Sequence, residues 1–167
     1  MPELLDLYDE NARKTGKIIV RGTPIRNGEY SMSVHMYIYN SAGQFLLQKR
    51  SMQKKSLPGI WSVTCGAVSS GENSIEAGIR EAREELGLTV SEEQFEFIGR
   101  IKRRHSFINV YFLKLDFDLS QLVLQKEEVD AVRLCRSSEL LNIIRSTENV
   151  GSTYLNALTS AIKERNL

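Results

Sequence analysis

The chain is short of several things that would assign it to a class at once. It has two cysteines in 167 residues, Cys65 and Cys135. That is too few for a disulfide framework and fits a reduced, cytosolic setting, so a cytoplasmic location is expected. It has almost no excess charge of either sign: 22 Lys and Arg against 21 Asp and Glu leave a formal net charge of +1. No whole-molecule field therefore argues for a nucleic-acid polymer or a membrane surface as partner. No apolar run approaches the length of a membrane span, and the first residues, Met-Pro-Glu-Leu-Leu-Asp, lack the basic and apolar segments of a signal peptide. Internal repeats and low-complexity segments are absent as well. What remains is an apolar fraction of 41% and a charged fraction of 26%, ordinary for a globular protein. The length suits one domain over residues 1–167 with a real core.

Along the chain, Leu4 to Asp9 alternates apolar and acidic residues like a strand, Glu10 to Gly16 reads as a turn, and Lys17 to Arg21 pairs back, giving an N-terminal hairpin over about residues 4–21. Strands are expected over Ser33 to Tyr39, Gln44 to Lys49, Trp61 to Thr64, Phe95 to Lys102, Phe107 to Phe117 and Val129 to Cys135. Helices are expected over Ser137 to Ile144 and over residues 151–165, where apolar side chains recur at helical spacing. This order implies an α/β fold with a mixed sheet between helices.

The segment from Gly66 to Leu88 stands apart. A glycine loop runs into a helix that Asn73 can cap, with Glu76 at the capping-box position and Gly87 after the last turn. Glu81, Glu84 and Glu85 share one face, where like charges repel by about 0.2–0.5 kcal/mol per pair. A cation should offset that repulsion, and hard oxygen donors suit Mg²⁺ or Mn²⁺. Arg80 can reach Glu76 or Glu84 along the helix and lock the carboxylates. The bland alternative is a charge-laced surface helix.

The pattern G-x5-E-x7-R-E-U-x-E-E-x-G-U, with U aliphatic, is met by Gly66, Glu72, Arg80, Glu81, Glu84, Glu85, Gly87 and Leu88, and it resembles the Nudix box (66–88). Ala82 departs softly from a position usually taken by a larger aliphatic. Leu46 to Ser51 and Pro58-Gly59-Ile60-Trp61 look like the branch of that superfamily containing isopentenyl diphosphate isomerase. The resemblance implies the Nudix fold, an α/β/α sandwich. It also implies hydrolysis of a diphosphate bridge in a nucleoside diphosphate-linked or related small substrate, with Mg²⁺ or Mn²⁺ as cofactor. By the same resemblance Glu84 and Glu85 are metal ligands, Glu81 is a further ligand or the general base, a carbonyl at Cys65 or Gly66 completes coordination, and Glu72 orients Arg80. Glu127 or Glu128 could add a carboxylate, or could simply be a solvated turn. Lys49, Arg50, Lys54 and Lys55, and separately Arg103 and Arg104, could bind phosphates or only face solvent. A proline expected past the box of the ADP-ribose class, and the coenzyme A pyrophosphatase motif, are both missing.

Two alternatives compete. The isomerase has a catalytic cysteine, matched here by Cys65, but its ligand histidines fall on Ala67 and Ser31, and its later glutamate strand reads Phe107-Ile108-Asn109-Val110. A nucleotide-sensing module without turnover would often lose box carboxylates, and this chain keeps them. Outside the box, Cys65, His35, His105 and Trp61 are expected to be packing or solvated residues, and Tyr37, Tyr39, Tyr111 and Phe112 sheet packing. An exposed apolar strand or the C-terminal helix could support a homodimer.

Overall fold

The computed structural model describes residues 2–147 and 151–167. An N-terminal hairpin, β1 (Leu4–Tyr8) and β2 (Lys14–Val20), stands outside the main sheet. The expected turn over Glu10 to Gly16 is tighter than the sequence implied. Asp9 Oδ1 accepts from the backbone N–H groups of Asn11 and Arg13, both at 2.9 Å, so β2 already begins at Lys14. A backbone pair between Tyr8 and Tyr30, 2.7 and 3.0 Å, ties the hairpin to the rest of the molecule.

The main sheet has seven strands: β3 (Ser31–Tyr39), β4 (Phe45–Arg50), β5 (Trp61–Ser62), β6 (Thr64–Ala67), β7 (Glu96–Lys102), β8 (Ser106–Lys114) and β9 (Val129–Cys135). The central pair, β3 and β8, is parallel, and the other pairings are antiparallel, so the sheet is mixed. The single strand expected over Trp61 to Thr64 is broken in two. β5 pairs with β4, and β6 pairs with β3, because one edge of β3 is shared by β4 at Tyr39 and by β6 at residues 33–36.

Period-2 alternation on β3 sorts side chains between two cores. Met32, Val34, Met36 and Ile38 pack toward α1 (Ser74–Leu86), with Ala77, Ala82 and Leu86 on the helix side. Tyr37 and Tyr39 pack on the other face with Phe45, Phe112 and the apolar stripes of α2 (Ser137–Thr147) and α3 (Ser152–Glu164), including Leu140, Ile144, Tyr154 and Leu158. The result is helix, sheet, helix. His35 is buried in the second layer, where its Nδ1 lies 2.9 Å from the Tyr154 hydroxyl, and burial pushes its pKa down to about 4. Trp61 is half-buried, with the Arg133 guanidinium 4.7 Å above its ring. Among the described residues no helix is long and apolar enough to cross a membrane.

Candidate active site

The glycine loop and α1 are held in place from both ends. Asn73 Oδ1 accepts from the N–H groups of Ile75 (2.8 Å) and Glu76 (3.0 Å), while Glu76 Oε2 accepts from the Asn73 N–H at 2.7 Å. Gly87 closes the helix in the left-handed region at φ 67°, donating to the carbonyls of Ala82 and Arg83. The loop before the helix is pinned by the hairpin: Asp6 accepts from Ser70 Oγ (2.8 Å) and from the Gly71 N–H (3.1 Å), and pairs with Lys14 at 2.7 Å.

Arg80 is the staple of the site. Its Nε and Nη2 donate to Glu72 at 2.8 and 3.1 Å, a bidentate pair, and Nη2 also donates to the Ala67 carbonyl at 3.0 Å. Nη1 donates to Glu81 at 2.8 Å and to Glu84 at 3.3 Å. The anticipated reach to Glu76 is absent among these contacts, since that carboxylate is taken by the helix cap. Arg80 holds the Glu72 carboxyl below the usual carboxylate range, and Glu72 in turn accepts from the Ser69 N–H at 3.1 Å.

Gly66 lies directly beneath Glu81. A Cβ there would fall 2.2 Å from the Glu81 carboxyl carbon, so only glycine lets that side chain cross the strand. Glu85 is 6% exposed and points at β4, where its Oε2 accepts from Gln48 Nε2 at 2.7 Å. Gln48 Oε1 in turn accepts from Thr64 Oγ1 at 3.0 Å. Burial pushes the Glu85 carboxyl up to about 7; the Gln48 hydrogen bond opposes this, and the nearby charges of Glu81 and Glu128 add to it. Burial also raises Glu81, against the pull of Arg80.

Glu81, Glu84, Glu85, Arg80 and Gly66 line one cleft of about 320 Å³. Arg50, Lys54 and Glu128 line it from the opposite side, with Lys54 and Glu128 paired at 2.6 Å. Glu127 is exposed and, like Lys49 and Arg104, is not among the residues lining this cleft or the larger one beside it; Arg103 lines the larger one. Two residues that the sequence did not single out are brought in by the hairpin: Glu3 and Arg21, paired at 2.7 Å. Gln48 was missed too, and its position one turn of the pleat before Arg50 was the available signal.

Among the described residues no three His, Cys, Asp or Glu side chains gather closely enough to enclose an ion as they stand. The donor set nevertheless suits a hard dication. The buried Glu85 and the partly buried Glu81 stand with raised pKa values on one wall of a polar cleft, and a divalent charge would relieve that unfavourable ionisation. The positions that would carry the isomerase's metal and glutamate chemistry have other work. The Ala67 carbonyl receives Arg80, and Asn109 is buried, donating to Ser74 Oγ at 2.7 Å and accepting from Arg100 at 2.8 Å.

The NUDIX domain family model matches residues 29–154. An uncharacterised Nudix hydrolase of Listeria monocytogenes is 35% identical over 154 residues, covering 92% of this chain and 91% of its own length. An isopentenyl-diphosphate Delta-isomerase of Pectobacterium atrosepticum is 37% identical over only 83 residues, about half of each chain (49% and 46%). A crystal structure of a Deinococcus radiodurans protein superposes with a TM-score of 0.73 at 27% identity, covering 95% of this chain and 98% of that one.

Proposed function

The chain belongs to the NUDIX domain family and is a hydrolase of pyrophosphate-containing substrates; from that premise we propose that it cleaves the diphosphate bond of a small organic diphosphate at the Glu81–Glu84–Glu85 wall, with Mg²⁺ or Mn²⁺ bound there. The observation that carries this reading is the combination of Arg80 gripping Glu72, Glu81 and Glu84 with the buried Glu85 beside them in one cleft.

In this reading Glu84 and Glu85 would hold the cation, and Glu81 would be either a further ligand or the base that takes the proton from the attacking water. A bound dication would supply charge neutralisation at the diphosphate, whose own anionic oxygens otherwise repel a nucleophile. The chain's residues do the rest. Gly66 lets Glu81 lie across β6, and Glu72 fixes the Arg80 fork, which keeps Glu81 and Glu84 from splaying into solvent. Gln48 and Thr64 orient Glu85. Water attack forms one new P–O bond and breaks the bridging P–O bond, and the leaving phosphate departs past Arg50 and Lys54.

The test is release of phosphate or phosphomonoester from a panel of small diphosphates, with Mg²⁺, Mn²⁺ or a chelator. Wild-type turnover requires metal, and Glu84→Gln and Glu85→Gln each lose it by about 10²-fold or more while staying folded. Full activity in both variants would rule this reading out.

A further inference from the structure

We infer that the larger cleft beside the carboxylate wall is the subsite for the non-phosphate part of the substrate, and that this part is an aliphatic chain and not a nucleobase. The inference rests on the hydrolase reading above for the position of the phosphates. The cleft has a volume of about 750 Å³, and it shares Arg21, Arg50, Cys65 and Gly66 with the carboxylate cleft, so a molecule spanning both would bend over these residues.

The origin of the space is legible strand by strand. On the α2/α3 face of the sheet, β3 and β8 carry Tyr37, Tyr39 and Phe112 where the helices cover them. Farther back along the same face the side chains shrink: Ser31 opposite Ser106, Ser33 opposite Ala67, and His35 opposite Cys65. Small residues leave a hollow, and the hairpin pair Leu5 and Ile19, with Leu57 and Ile60, wall it with hydrocarbon.

Three polar side chains of the floor are already engaged. Ser31 Oγ donates to the His105 carbonyl at 3.5 Å, Ser33 Oγ donates to the Phe107 carbonyl at 3.3 Å, and His35 Nδ1 meets the Tyr154 hydroxyl. Among the described residues lining this cleft there is no Phe, Tyr or Trp on which a base could stack, and no Asn, Gln, Asp or Glu to read a base edge. The cleft therefore offers shape and apolar contact, which reward an aliphatic group. Its charge lies in Arg21 and Arg50 at the seam and Arg103 on the wall, and the seam is where a diphosphate would sit.

The experiment compares kcat/KM with Mg²⁺ on hexyl diphosphate, uridine diphosphate and methyl diphosphate, and measures calorimetric binding of the uncleavable hexyl methylenediphosphonate. Hexyl diphosphate exceeds uridine diphosphate by about tenfold or more. Ser33→Phe, which fills the floor, and Leu57→Asp, on the exposed wall, each lower hexyl turnover at least about tenfold more than methyl turnover. Arg21→Ala weakens all three substrates alike. Metal-dependent turnover with no hexyl preference, or with that ratio unmoved in both cleft variants, overturns the subsite and leaves the hydrolase reading standing. No turnover of any compound, with phosphonate binding that the cleft variants abolish, overturns the hydrolase reading and keeps the subsite. Neither turnover nor binding overturns both.

Discussion

Replacing Glu85 by glutamine should stabilise the metal-free protein above neutral pH while abolishing its activity. Glu85 is 6% exposed, and its carboxyl is pushed from 4.5 up to about 7, chiefly by burial. Below about pH 4.5 the folded and unfolded states are both protonated at this group, so the wild type suffers no loss there. Between 4.5 and 7 the unfolded chain ionises while the folded one keeps its proton, so stability falls as pH rises, and the loss is complete above about pH 7. At about 1.4 kcal/mol per unit the full loss is about 3 kcal/mol. Glutamine cannot ionise, and its carbonyl oxygen can still accept from Gln48, so the variant escapes most of this loss. Allowing for imperfect partners for the new amide, Glu85→Gln should be about 1–2 kcal/mol more stable at pH 8 in chelator, which is about 2–8 °C in Tm for a chain of this length. At pH 4.5, where the wild type has lost little, only the amide's imperfect partners remain, and the variant should be about 1 kcal/mol less stable than wild type. Thermal unfolding at both pH values, each with chelator, decides the matter. A variant equal to or less stable than wild type at pH 8 would refute the claim that burial strains this carboxylate.

Gly66→Ala should push Glu81 off its perch, because the new Cβ would sit 2.2 Å from the carboxyl, and kcat should drop about 10²-fold with the circular-dichroism spectrum unchanged. Glu72→Gln removes the charged partner of the Arg80 fork and should lower kcat about tenfold at saturating metal, read by steady-state kinetics. Asn73→Ala removes both cap bonds of α1 and should cost about 1 kcal/mol in urea unfolding, with a smaller effect on kcat.

The sequence carried the box well because local rules and chemistry coincide there. The capping box at Asn73 and Glu76, the left-handed Gly87 and the acidic face of α1 are all set by residues within a few positions of one another. The strands were legible from alternation, and β9 was bounded as expected. What escaped depended on contacts distant in the chain. The parallel pairing of β3 with β8 and the split between β5 and β6 follow from which edge each strand finds. Nothing near Arg21 in the chain says that the hairpin end will reach the carboxylate cleft, and Gln48 reads as one more polar residue on a strand until Glu85 is seen against it. Among the basic residues the sequence could not choose: Arg50 and Lys54 line the cleft, whereas Lys49 and Arg104 lie outside it. A serine-rich stretch of β3 gives no hint of a cavity, because the hollow arises only when Ser106, Cys65 and Ala67 are aligned beside it.

The most direct test of the central claim is the electron paramagnetic resonance signal of free Mn²⁺ titrated with protein in the presence of methylenediphosphonate. The account predicts that wild-type protein depletes the free signal stoichiometrically and that the double variant Glu84→Gln, Glu85→Gln does not. Equal depletion by both proteins, or none by the wild type, would contradict it.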